Sequence, residues 1–454
     1  MTRHVPALVV GGGISGLVCA YALRKSGIDA QLVEAGPRTG GVIQSITREG
    51  FLLELGPQSF SGVPSLQDLC HALGIEEQLT PAPRTPRFVL ISGVLQPVPL
   101  SPPAFFASSF VSIGTKWTIL RDALGRSVPP AQEETVAAFV QRKFSPELLE
   151  KLVGPFVSGI YAGDAEKLSL RAAFPQLYDA EISARSIVRG LARLGKKLKQ
   201  SGTPRPTLFS FRDGNETLVR ALSDKIGPAL RTNVRVTSIA WRDASFDVHL
   251  ETDGYEESIS TNSLIIATPT DVAGRLLGGL DSAFETLLAP IEYAAVAVVS
   301  LGYQKNDVGH SLDGFGFLVP RSSGLRVLGS VWNSSLFPGR APKDHALLTS
   351  FVGGVTDPAA AKLKPEELAS LVHRELSPLL SIKNAPVFSN VTIWPRALPQ
   401  YNLGHGSRLA AVAKLLHRCP WIWLAGNYLR GPAIGSCVEQ ALAVAAEVRT
   451  SLER

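Results

Sequence analysis

The residue pattern with the most definite chemistry lies near the start of the chain. Gly11-Gly12-Gly13-Ile14-Ser15-Gly16 fits the spacing G-x-G-x-x-G. In such a run the first glycine allows a tight turn, the second lets the backbone approach a pyrophosphate, and the third lets a helix lie close on a strand. A helix that starts there turns its free N–H groups and positive dipole end toward phosphate, so no basic side chain is required. Glu34 follows Gly11 by 23 positions. At a strand end its carboxylate can accept hydrogen bonds from both hydroxyls of a ribose, and it would repel a 2′-phosphate, which disfavours NADP.

These residues need a strand, a turn and a helix in that order to hold them. The apolar run 7–10 predicts a strand, 11–13 a turn, and 15–26 a helix with Leu17, Ala20 and Leu23 on one face, stopped by Gly27. A second strand over 30–33 ends at Glu34 and completes a β-α-β unit. Prolines recur between 81 and 103 and separate this unit from a region of helix signals over 133–198. Residues 233–268 alternate as β segments at 234–236, 246–250 and 263–267, the last reading as a buried strand. The C-terminal stretch gives a strand over 421–425, a turn over 426–435 and an Ala-rich helix over 436–452. The turn again offers helix N-terminal N–H groups to a ligand.

With 454 residues the chain exceeds one ordinary core and predicts two or three domains. Hydrophobic residues make up 45% and charged residues 19%, which points to a large core or some lipid contact. Lys and Arg number 45 against 39 Asp and Glu, a net charge of +6. The excess is scattered, so nucleic acid is not an expected partner. Cys19, Cys70, Cys419 and Cys437 form neither a CxxC pair nor a zinc framework, and the eight histidines form no HExxH, so no metal site is expected. No Gly-x-Ser-x-Gly elbow occurs, and Glu76-Glu77 and Glu133-Glu134 read as solvated charge. The N-terminus lacks the pattern of a secretory leader, which predicts an intracellular, cytoplasmic protein. Apolar runs break before the roughly 20 residues that span a bilayer. The segment 99–120 holds Phe105, Phe106, Phe110 and Trp117 with one Lys. It suits either shallow burial at a lipid surface or a buried core hairpin.

Beyond the first unit, Glu34-Ala35-Gly-Pro-Arg38-Thr-Gly40-Gly41 resembles the E-x-x-x-R-x-G-G signature of the flavin amine oxidase superfamily. The resemblance implies non-covalent FAD. Arg38 would reach the pyrophosphate or brace the loop. Gly56-Pro57-Gln58-Ser59, after the strand-like 51–55, fits a second backbone pass along the flavin or an ordinary turn.

Five longer blocks narrow the resemblance. They are Pro86-Arg87-Phe88 with Gly93-Val-Leu95, Ser158-Gly159-Ile-Tyr-Ala-Gly-Asp164 with Leu168-Ser169, Gly314-Phe315-Gly-Phe-Leu318-Val-Pro320, Pro399-Gln-Tyr-Asn-Leu-Gly-His405, and Gly426-Asn-Tyr-Leu-Arg-Gly431 with Cys437-Val-Glu439. Together they resemble the HemY-type protoporphyrinogen oxidases over essentially the whole chain. The resemblance implies an α/β fold with a discontinuous Rossmann-type FAD-binding domain (1–82, 205–275 and 415–454), an α+β substrate domain (83–97 and 276–414) and a helical membrane-docking domain (98–204). It implies that Gly11, Gly12, Gly13, Ile14, Ser15, Gly16, Glu34, Ala35, Arg38, Gly40 and Gly41 hold FAD. Val236 would touch its adenine side, and Val42, Gly56, Pro57, Gln58, Ser59, Trp394, Gly426, Ala433 and Ile434 its flavin or its chain. Arg87 would anchor a substrate propionate with two parallel hydrogen bonds, Phe315 and Leu318 would pack on a tetrapyrrole, and Gly159 would lie where no side chain is tolerated.

The implied reaction removes six electrons from protoporphyrinogen IX in two-electron steps to flavin N5, with O2 as acceptor and H2O2 as product. Coproporphyrinogen III as substrate, an amine or carotenoid oxidase of the superfamily, and a non-catalytic nucleotide-fold carrier are the alternatives. No protein residue is assigned as a catalytic acid or base, because the hard chemistry belongs to the cofactor. Peripheral lipid and a second copy of the chain complete the implied partners.

Overall fold

A computed structural model describes residues 3–99, 101–200 and 207–453. The expected domain edges at residues 1, 204/205 and 454 fall at or beyond the limits of these described residues, and Leu100 of the segment 99–120 is likewise outside them.

The first sheet grows from the apolar run at the N-terminus, which forms the strand Arg3–Val10. It pairs in parallel with Ala30–Val33 on one side and with Tyr255–Ile266 on the other. Both faces are covered, which is why its four last residues are all apolar and buried. Ala7 and Val9 pack with the helices Ile14–Lys25 and Ile434–Leu452, whereas Leu8 and Val10 face a second core with Ala273, Leu277 and Phe284.

The strand Tyr255–Ile266 changes partner along its length. Its first part pairs antiparallel with Ser245–Thr252, which continues into Val234–Arg242. Its last three residues pair in parallel with Ile422–Leu424. Segments from the start, the middle and the end of the chain thereby share one seven-stranded sheet. The C-terminal helix begins at Ile434, two residues before the expected start at 436, because Ala433 takes extended geometry as its N-cap.

A second seven-stranded sheet runs in the order Phe388–Pro399, Tyr293–Gln304, His345–Gly353, Val327–Val331, Gly316–Leu318, Phe88–Ile91, Val94–Pro97. Its pairs are antiparallel except the one between Gly316–Leu318 and Phe88–Ile91. The helix Pro365–Leu380 buries Leu368, Val372, Leu376 and Leu380 against it.

Between 102 and 200 the chain is helical. Helices Val136–Lys143, Gly154–Tyr161, Pro175–Ala184 and Ile187–Gln200 contribute to a core with Phe110, Phe139, Val157, Leu170 and Tyr401, and helix Ile113–Leu124 lies outside it. Leu149–Val153 is one π-type turn leading into Gly154–Tyr161, a local widening that often accompanies functional segments. Among the described residues no helix is long and apolar enough to cross a membrane.

Candidate functional site

The Gly-rich turn is built by close backbone contact. Gly11 adopts φ +110°, and a Cβ on Gly16 would lie 1.9 Å from the Gly11 carbonyl oxygen, so the helix can rest on the strand only with glycine there. A Cβ on Gly13 would meet nothing within 4 Å, and Gly13 caps the helix Ile14–Lys25 without any side-chain hydrogen bond. The turn therefore presents an uncapped helix N-terminus beside open space, the cradle that a pyrophosphate fits. Ile14 and Ser15 form the first turn of that helix, with Ser15 buried.

Glu34 is tied to the same turn. Its Oε2 accepts the Gly12 N–H at 2.6 Å and its Oε1 accepts the Gly36 N–H at 2.8 Å. Ala35, between them in sequence, is exposed. The strand Val234–Arg242 abuts it, since the Val234 N–H donates to the Glu34 carbonyl at 2.9 Å, and the half-buried Val236 lies two residues on.

Arg38 braces the loop. Its guanidinium donates to the carbonyls of Thr39 at 2.9 Å and Gly41 at 2.6 Å, and its cation lies 5.9 Å from the Trp394 ring. Gly40 donates to the Gly12 carbonyl at 2.7 Å and, like Gly41, takes positive φ. A Cβ on Gly56 would stand 2.0 Å from the Val42 carbonyl oxygen, so residues 42 and 56 are adjacent backbone passes. Trp394 Nε1–H donates to the Leu55 carbonyl at 2.6 Å. Gln58 is buried, donating to the carbonyls of Glu54 and Gly56 and accepting from Asn333 Nδ2 at 2.7 Å. Pro57 accepts from Asn215 Nδ2 at 2.8 Å, and Ser59 is half-buried beyond it. The C-terminal turn joins the group through Gly426, whose N–H donates to Gln440 Oε1 at 3.2 Å, and through the cap Ala433-Ile434. Cys19 Sγ donates to the Ala441 carbonyl at 3.3 Å and locks the two glycine-led helices together. Burial pushes the Cys19 thiol up to about 12, so it stays a neutral packing group.

A second group forms on the other sheet. The Arg87 guanidinium lies 5.0 Å from the Phe315 ring centroid. The backbone holds this pair in place, because Phe315 N–H donates to the Pro86 carbonyl at 2.8 Å and Val98 N–H to the Arg87 carbonyl at 2.7 Å. Leu318 ends the strand that starts after Phe315, and a Cβ on Gly159 would stand 2.5 Å from its Cδ2. Arg87 with Phe315 and Leu318 with Gly159 are thus two pairs, joined through the block 314–320. Among the described residues no carboxylate pairs with Arg87, whereas Arg321 at the far end of the block faces Asp164 at 3.4 Å.

One buried group escaped the sequence reading. Arg340 and Glu54, each 1% exposed at the side chain, form an ion pair at 2.8 Å. Ser45 Oγ donates to Glu54 at 2.6 Å, Asn215 N–H donates at 2.9 Å, and Arg340 also bonds Ser210 Oγ. The pair sits directly behind 55–58. A lone Arg in the run Pro-Gly-Arg-Ala-Pro carries no local signal of burial.

Strand, glycine turn, helix and strand-end carboxylate in this arrangement define a dinucleotide-binding protein of the α/β class. The family model described as flavin containing amine oxidoreductase matches residues 14–449. Protoporphyrinogen oxidase 1, chloroplastic, of Spinacia oleracea is 36% identical over 97% of this chain and 83% of its own length. Coproporphyrinogen III oxidase of Bacillus subtilis (strain 168) is 27% identical over 99% of this chain and 98% of its own. A crystal structure from Exiguobacterium sp. 255-15, described as a candidate protoporphyrinogen oxidase, superposes with a TM-score of 0.83 at 25% identity, covering 99% of each chain. The chain belongs to the flavin-containing amine oxidoreductases, in their HemY-type protoporphyrinogen oxidase branch, and is an oxidoreductase whose cofactor is FAD.

Proposed function

We propose that this enzyme oxidises protoporphyrinogen IX to protoporphyrin IX, passing six electrons in three two-electron steps to O2 and releasing three H2O2. The observation that carries the reading is the pairing of Arg87 with Phe315 at one end of the block 314–320, with Leu318 against Gly159 at the other. A flat, apolar ring with a carboxylate at its edge is complementary to an aromatic ring with a guanidinium beside it. On this reading Phe315 and Leu318 take the ring, Gly159 lets the Leu318 side chain seat against its helix, and Arg87 grips the carboxylate. Bound without a covalent link, FAD supplies the two-electron acceptor. On this reading the glycines of 11–16 receive the pyrophosphate, Glu34 and Val236 the adenosine, and 40–42, 56–59, Trp394, 426 and 433–434 the flavin side. The two sheets would correspond to a cofactor domain and a substrate domain.

Coproporphyrinogen III is the second reading, favoured by the Bacillus subtilis relative. It carries two further propionates, and Arg321, the cation at the opposite end of the block, is already neutralised by Asp164. Anaerobic addition of each porphyrinogen while the flavin absorption band is followed tests both. Rapid bleaching by protoporphyrinogen IX and slower bleaching by coproporphyrinogen III is expected. A flavin that neither reduces would overturn the assignment.

The helical layer supports peripheral contact with the inner face of a cellular membrane. Helix Ile113–Leu124 is inside out. Its buried residues are Thr115 and Asp122, while Ile113 is 73%, Trp117 65% and Leu124 84% exposed. Asp122 pairs with the buried Lys143 and accepts from Ser186 Oγ and Val188 N–H at 3.0 Å. The adjoining helix Ile187–Gln200 exposes Arg193, Lys196, Lys197 and Lys199. An apolar face rimmed by cations suits an anionic lipid surface. Within 99–120, Phe110 lies in the helical core and Phe105 and Phe106 are half-buried, so the exposed apolar side chains on which this reading rests are those of helix Ile113–Leu124.

A further inference from the structure

Three sequence blocks far apart in the chain, 158–164, 399–405 and 426–431, converge at one place. On one side, Gln400 Nε2–H donates to the Tyr161 carbonyl at 2.8 Å, the Tyr401 carbonyl accepts Ser169 N–H at 2.8 Å, and Leu168 and Asn402 form a β-bridge. On the other side, the Tyr401 hydroxyl donates to the Asn427 carbonyl, and His405 Nε2 lies 2.9 Å from the Tyr428 carbonyl. A carbonyl only accepts, so that ring nitrogen carries the proton. Burial holds the imidazole below its usual range, so it stays neutral with one N–H. The two rings stack with centroids 4.4 Å apart and planes 10° from parallel, and both side chains are buried.

The contact fixes a peptide plane. The unit between Tyr428 and Leu429 is held at both ends, its carbonyl by His405 and its N–H by the Gly426 carbonyl at 3.3 Å. Because a trans peptide is planar, pinning both ends fixes the direction of the turn that leads into helix Ile434–Leu452.

We infer that Tyr401 and His405 are positioning residues, which aim the turn 426–431 at the flavin while Gln400 of the same segment holds the block that carries Gly159. Residues 399–405 then set the spacing between cofactor and substrate. This rests on the reading that 426–431 faces the flavin and 159 the tetrapyrrole. Spacing matters because a displacement of about 1 Å between reacting atoms can lower the rate on the order of a hundredfold.

The test compares the holoenzyme with Tyr401→Phe, His405→Leu and His405→Gln. Tyr401→Phe keeps the stack and removes one hydrogen bond, whereas His405→Gln keeps an N–H donor. Tyr401→Phe and His405→Leu are expected to raise the FAD dissociation constant about tenfold, the equivalent of one lost hydrogen bond. They should also change the visible circular dichroism of the flavin and lower kcat at near-normal KM. His405→Gln should recover most of the FAD affinity. Folded variants with wild-type FAD affinity, flavin dichroism and kcat, differing only in melting temperature, would reduce the pair to a packing role and overturn the inference. If neither porphyrinogen reduces the wild-type flavin, the substrate reading fails by itself, and FAD affinity and dichroism still decide the positioning role.

Discussion

Replacing Glu34 by Ala removes two charge-assisted hydrogen bonds, from Gly12 N–H at 2.6 Å and Gly36 N–H at 2.8 Å. Bonds to a charged acceptor contribute roughly 1.5–3 kcal/mol each when shielded, and water recovers part of that at a half-buried site. The turn itself should therefore lose about 2 kcal/mol of local stability. If the carboxylate also receives the ribose hydroxyls, FAD binding weakens by a similar roughly 1.5–3 kcal/mol, about 10- to 150-fold in dissociation constant. Glu34→Gln is the sharper probe. One amide oxygen can satisfy one N–H, but the amide nitrogen then meets the other donor to donor, so Gln should be little better than Ala. The assay is flavin retained after ultrafiltration at fixed low free FAD, with melting of the flavin-free protein measured in parallel to separate the two losses. A pale protein is expected for both variants. Full occupancy in Glu34→Ala at low free FAD would refute the reasoning and take Glu34 out of the adenosine site.

Arg87→Ala should raise KM for porphyrinogen with FAD content unchanged, because a grip equal in ground state and transition state appears in KM. Arg87→Lys should recover only part of the loss, as an ammonium lacks the planar two-point grip; steady-state kinetics in which Ala leaves both constants unaltered would make Arg87 a loop residue. Trp117→Ser with Leu124→Ser should abolish flotation with anionic liposomes, while Phe105→Ser with Phe106→Ser should matter less if the protein stays folded; the reverse order would restore the first reading of that segment. Partial burial raises the Glu147 pKa, but Lys151, Ser112 and Thr115 lower it further, leaving it at about 2. A group depressed in the folded state stabilises above its unfolded value of 4.5 and loses that contribution as pH falls toward 2. The protection factor for amide exchange over 112–124, which divides out the intrinsic slowing of exchange in acid, should therefore fall between pH 4.5 and 2 in the wild type, and show no such acid-specific step in Glu147→Gln.

What the sequence could reveal follows from how local each constraint is. The β-α-β unit was legible because a parallel strand covered on both faces must be an apolar run, and because the contact between Gly16 and the Gly11 carbonyl leaves glycine no substitute. Partner exchange along Tyr255–Ile266 was not legible. Its first half pairs at a solvent-facing β extension and reads Tyr-Glu-Glu-Ser, and only its end carries the buried pattern. Arg340 and Glu54 are 286 positions apart, so nothing near either residue announces the other. The helix Ile113–Leu124 shows the same limit most clearly. The segment 99–120, which overlaps its first part, suited a lipid surface or a core hairpin, and which side chains this helix exposes turns on residues outside it. Glu147, 35 positions on, accepts Ser112 N–H and fixes the helix start, while Lys143 and Ser186 draw Asp122 inward. Rotation by these polar ties forces Ile113, Trp117 and Leu124 outward, against the direction that water alone would favour. Burying charge while exposing apolar surface costs free energy in water on both counts. On the proposed reading of lipid contact, a lipid surface reverses the second cost and leaves the inverted helix a small net penalty, which is what the liposome measurement on Trp117 and Leu124 tests.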